Sequence, residues 1–146
     1  MKKIVFVFCV IGFFVLEIPA QTITGRDMIN SFERPVPENA WGGDTVLSNG
    51  FRIFAIDVDG PPQMQRLWFV QFGRTVAYRC HITYDTARAA EQAATALVTG
   101  FAREYGEPSR FGGDLVWVTS DYNYQITLET ELTEDFSIRI LISHFP

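Results

Sequence analysis

The sequence predicts an α+β fold, with an antiparallel β-sheet of about five to six strands packed against one major helix near 86–105 and a short N-terminal helix. Three observations carry this. Ala90, Ala94, Leu97, Phe101 and Tyr105 recur at spacings of three and four, which draws one apolar stripe along a helix. Several stretches of six to ten residues alternate in hydropathy and end at Gly, Pro, Asn or Asp, as half-buried strands do. Aromatic residues make up 14% of the chain, enough to furnish a core and to argue against disorder.

The first element is an address rather than a structure. Met1-Lys2-Lys3 supplies positive charge, Ile4 to Leu16 is apolar, and Ile18-Pro19-Ala20 ends on a small residue. That run is shorter than the roughly 20 residues a bilayer span needs and has the three regions of a secretory signal. The expectation is cleavage after Ala20, leaving 21–146 as one domain in the periplasm or outside the cell.

Thr24 to Phe32 is predicted as a short helix, with Met28, Ile29 and Phe32 on one side. Glu33 to Gly43 contains Pro35, Pro37 and two glycines and is predicted as loop. Residues 51–58 alternate as a strand with Phe54, Ile56 and Val58 inward, and Gly60-Pro61-Pro62 breaks it. Leu67 to Phe72 and Thr75 to Tyr84 read as a hairpin around Gly73-Arg74. That turn pairs Phe72 with Thr75, and hence Trp68 with Arg79, on the face away from Cys80. The helix at 86–105 takes Asp85 as its N-cap, and Gly106 and Pro108 stop it. Strands follow at about 114–119, 124–130 and 136–144. Ile126, Leu128, Ile138 and Ile140 share a core face there, and Gln125, Thr127, Glu129 and Arg139 a wet one.

The halves share a pattern. Phe32 and Pro35 precede Trp41-Gly42-Gly43-Asp44 and Val46, while Tyr105 and Pro108 precede Phe111-Gly112-Gly113-Asp114 and Val116. This suggests a tandem helix-plus-three-strand unit. The layout is similar to that of small envelope proteins and secreted enzyme inhibitors built from duplicated helix-plus-sheet units. The similarity covers architecture, and no site is carried over from it.

Charge and cysteine usage bound the chemistry. Lys2 and Lys3 are the only lysines and leave with the signal, so residues 21–146 cannot form a lysine Schiff base. The chain has net charge −5 with dispersed arginines, which argues against nucleic-acid binding. The absence of a second long apolar run argues against a membrane span. Cys9 belongs to the signal, and Cys80 is then alone, so no internal disulfide forms; its neighbours Tyr78 and Ile82 two residues away predict a buried thiol.

No nucleophile elbow, zinc-helix, P-loop or dinucleotide pattern occurs. Asp57-Val58-Asp59-Gly60 has the start of a calcium loop but runs into Pro61-Pro62, so the carboxylates read as a solvated strand edge. His81 lies on the opposite strand face from Cys80, and His144 has no partner at metal-ligand spacing. No cofactor and no metal are expected. The candidate binding residues are Trp68, Arg79 and His81, an aromatic ring opposite a guanidinium, a composition enriched at interfaces. The function class this favours is a non-catalytic binding or inhibitory module with a protein partner in the envelope. The alternatives are a small hydrolase with a carboxylate acid/base pair, or a structural subunit that self-associates through the Leu67–Phe72 strand.

Overall fold

The structure is a computed structural model that describes residues 23–129 and 134–146; the signal expected at 1–20 lies outside the described residues. Helix α1 (Gly25–Glu33) is followed by strands β1 (Trp41–Val46), β2 (Arg52–Val58), β3 (Gln63–Gln71) and β4 (Arg74–Thr83). Helix α2 (Ala87–Tyr105) is followed by β5 (Ser109–Phe111), β6 (Asp114–Val118), β7 (Tyr124–Glu129) and β8 (Ser137–His144). Among the described residues the fold is α+β with an antiparallel sheet and two helices, as the sequence implied.

The sheet has eight strands rather than five to six, in the order β1-β2-β3-β4-β8-β7-β6-β5. Each half is thus a helix plus a four-strand meander, and the two meanders join through their last strands. The two strands that sequence missed are β1 and β5, the sheet edges. β1 contains Gly42 and Gly43 at positive φ, and β5 is only three residues long, so neither shows an alternating pattern. The paired Gly-Gly-Asp motifs do not occupy matching places. The first lies inside β1, and the second forms the turn between β5 and β6. The repeat is carried by topology, not by that motif.

Both helices cover one face of the sheet. α1 starts with a capping box, in which Asp27 N–H donates to Thr24 Oγ1 at 3.1 Å and Thr24 N–H donates to Asp27 Oδ2 at 3.0 Å. α2 is capped by Thr86, one residue later than the expected Asp85, through Ala89 N–H at 3.2 Å, and ends at Gly106 with φ +86°. One core lies beneath them: Met28 and Phe32 from α1, Leu97 and Phe101 from α2, and Trp68, Tyr78, Cys80, Ile82, Leu115, Trp117, Ile126, Leu128, Ile138, Ile140 and Ile142 from the sheet. Two indoles fasten the helices: Trp68 Nε1 donates to Ser31 O at 3.1 Å, and Trp117 Nε1 to Gly106 O at 3.0 Å. No helix among the described residues is long and apolar enough to cross a membrane.

The β3–β4 hairpin corrects the predicted register. Phe72 (φ +51°) and Gly73 (φ +76°) form the two-residue turn, so Gln71 pairs with Arg74. Two positive φ values make a type I′ turn, for which Asn-Gly is the usual signal, and Phe-Gly conceals it. A bulge between Phe69 and Val70 shifts the ladder again, so that Trp68 pairs with Tyr78 and Leu67 with Arg79. A one-residue slip exchanges the faces of a strand. Trp68 therefore lies in the core, 3% exposed, and Arg79 lies on the other side of the sheet. β3 is also hydrogen-bonded to β2 and β4 along both edges, so residues 67–72 offer no open strand for self-association.

Candidate functional site

Trp68, Arg79 and His81 do not form one site. Trp68 is enclosed beneath α1, with its ring centroid 5.1 Å from that of Tyr78. Arg79 and His81 occupy the face of the sheet without helices, inside an internal charge network. The Arg79 guanidinium sits 5.6 Å from the centroid of Phe69, so the expected ring–guanidinium pair exists with a different aromatic partner. Arg79 Nη2 lies 3.9 Å from Glu129 Oε1, and Arg139 Nη1 lies 3.2 Å from Glu129 Oε2. His81 Nε2 lies 3.9 Å from Asp135 Oδ2. Burial, reinforced by Arg139, pushes the His81 imidazole below its ordinary pKa, against the pull of Asp135.

Cys80 behaves as expected: it is buried, its Sγ lies 3.3 Å from Tyr78 Oη, and burial raises its pKa. Asp57 Oδ1 accepts from Gln65 Nε2 of the neighbouring strand at 2.8 Å, so this carboxylate is tied into the sheet rather than into a loop. Among the described residues no three His, Cys, Asp or Glu side chains gather as metal ligands.

A cleft of about 1110 Å³ opens on the helix-bearing face, where α1 stops. Its origin is a difference in helix length. α2 has 19 residues and spans about 28 Å, whereas α1 has nine and spans about 13 Å. The sheet beyond the end of α1 is left without a helix above it. One wall is formed by Phe32 to Val36, the end of α1 and the Pro35 turn, and the opposite rim by Val46, Gly50 and the Phe72-Gly73 turn. The floor holds Arg52, Phe54 and Val70. Arg52 pairs with Val70 and Phe54 with Trp68, which puts these side chains on the core side of the sheet.

Local bonds fix the rim. Gln71 Nε2 donates to Asn49 O at 3.0 Å and ties the β3–β4 turn to the β1–β2 turn. The latter is closed by Leu47 N–H to Phe51 O and Gly50 N–H to Leu47 O, both 2.8 Å. Gly43 must be glycine, because a Cβ there would lie 2.3 Å from Phe54 Cε1; the Phe54 ring rests on bare backbone.

At the far end, Phe32, Tyr124 and His144 form an aromatic cluster. His144 stacks on Tyr124 with centroids 5.3 Å apart and meets the Phe32 ring edge at 4.9 Å. Tyr124 Oη donates to Glu33 Oε1, and this bond holds the Tyr124 pKa up to about 12. Glu33 is the sole carboxylate among the described residues lining the cleft, against the guanidiniums of Arg34, Arg52 and Arg74. A carboxylate acid/base pair is therefore not assembled there. Phe72 stands at the mouth, 95% exposed.

Comparison of the chain with protein-family models, curated proteins and solved structures finds no match. The cleft residues thus rest on geometry alone. Sequence reasoning missed them because they come from five separate segments that no spacing rule connects. The one local signal was Phe72 beside Gly73, a large apolar residue in a turn.

Proposed function

We propose that the protein is an exported envelope protein acting as a non-catalytic binding module, and that its protein partner docks at the cleft beside α1. One observation carries the reading. Phe72 is a fully exposed aromatic side chain held in the left-handed backbone region, at the rim of a cleft whose floor holds Phe54 and Val70 beside Arg52. An ordinary residue in that conformation costs about 1–2 kcal/mol, and an exposed ring contributes nothing to folding that offsets it. Aromatic anchors at the edge of a desolvatable cleft are the usual origin of binding energy. The tripartite N-terminus supports export.

The test is site-specific photo-crosslinking in the native envelope fraction. A photoreactive phenylalanine at position 72 is compared with one at 111, the last residue of β5, which is 81% exposed in the other half. A discrete adduct from 72 and none from 111 supports docking at the cleft. No adduct from 72, or the same adducts from both positions, overturns it.

A further inference from the structure

We infer that the cleft takes an acidic, extended peptide segment of its partner, in which carboxylates alternate with apolar side chains. The inference rests on the cleft being the docking surface and adds the chemistry of what docks. Charge is the first argument. The chain has 17 acidic and 12 basic residues, yet the described residues around the cleft present three guanidiniums and one carboxylate. Glu33 already accepts from Tyr124. Arg34, Arg52 and Arg74 are exposed, and among the described residues none of them makes an ion pair or a side-chain hydrogen bond. The cleft is thus a cationic region on an acidic protein, which attracts anionic segments and repels a second copy of the same surface.

Spacing is the second argument. The three arginines stand on three elements: the end of α1, the start of β2 and the start of β4. Arg52 pairs with Val70, and Val70 with Thr75, next to Arg74. Two strand intervals separate Arg52 from that position, on the order of 10 Å of backbone. An extended chain presents same-side residues about every 7 Å, and so brings successive carboxylates to successive arginines.

The third argument is what lies between the arginines. Phe32, Val36, Phe54, Val70 and Phe72 are apolar, so the ligand must bury apolar side chains while its carboxylates reach the arginines beside them. A recessed floor between two walls also fits a peptide better than a membrane surface, which demands an apolar face that protrudes.

The test uses a fluorescein-labelled octapeptide alternating glutamate and leucine, titrated into the exported protein and followed by fluorescence anisotropy. Two analogues, lysine for glutamate and serine for leucine, and phosphatidylglycerol vesicles complete the set. The expected result is saturable binding of the Glu-Leu peptide that weakens as ionic strength rises and falls about tenfold in the double variant Arg52→Ala/Arg74→Ala. Both arginines are exposed, so a thermal melt of that variant should match the parent. Equal binding of the lysine or serine analogue, an unchanged affinity in the double variant, preferential capture of the vesicles, or no peptide binding would each overturn the inference. A discrete adduct from position 72 without peptide binding leaves docking intact and removes only the acidic class of ligand.

Discussion

Trp68→Ala is the perturbation that most directly separates the core from a surface. Trp68 is 3% exposed, its ring leans on Tyr78, and its indole N–H holds the Ser31 carbonyl near the end of α1. Truncating a buried tryptophan to alanine costs about 3–5 kcal/mol. Part of that loss belongs to the hydrogen bond, and Trp68→Phe isolates it. Phenylalanine keeps most of the apolar volume but leaves the Ser31 carbonyl without its donor, for a loss of about 1–3 kcal/mol. Trp41→Phe is the control, because Trp41 is 56% exposed and its replacement should stay within about 0.5 kcal/mol. Urea unfolding followed by far-ultraviolet circular dichroism reads all three variants on one scale. A loss below about 1 kcal/mol for Trp68→Ala would refute the placement, since no buried, hydrogen-bonded indole can be removed so cheaply.

Three further outcomes follow from named contacts. Cys80 should resist thiol reagents until the protein unfolds, because burial keeps it protonated and inaccessible, and Cys80→Ser should cost about 1–3 kcal/mol; rapid labelling of the native protein would contradict this. Phe72→Asn should stabilise the fold by about 0.5–1 kcal/mol, because asparagine tolerates the left-handed turn position better than phenylalanine; a lower melting temperature would show that the ring packs within the chain. For His81, burial first and then Arg139 lower the folded pKa, so the unfolded chain binds the proton more readily. Above the ordinary value of about 6.5 the residue is neutral in both states, and as the pH falls through that value its contribution to stability is progressively lost. His81→Gln should flatten that part of the stability–pH curve, and a parallel curve would remove the assignment.

Much of this architecture is legible in the chain. The α2 stripe puts Ala90, Leu97 and Phe101 inside, and the β7–β8 alternation buries Ile126, Leu128, Ile138 and Ile140 while pairing Glu129 with Arg139 outside. These elements are long, and their burial period overrides local detail. The β3–β4 register is not legible, because it hangs on one turn residue: Phe72 adopts a conformation that its side chain disfavours, and a bulge follows. Edge strands β1 and β5 escape for another reason. Each pairs on one side only and buries almost nothing, so hydropathy has no pattern to impose. The cleft is legible least of all. It exists because α1 is ten residues shorter than α2, a property of the space left over rather than of any residue in it.

The junction between β4 and β8 bears on how the chain is made. Seven residue pairs, from Ala77–Ser143 to Thr83–Ser137, stitch the halves together, yet β8 leaves the ribosome after the other described strands. Until then β4 has a partner on one side only. It presents a row of unpaired amides and carbonyls along a strand that carries Tyr78, Cys80 and Ile82. During synthesis, then, the strand that ends at the centre of the sheet begins as its sticky margin.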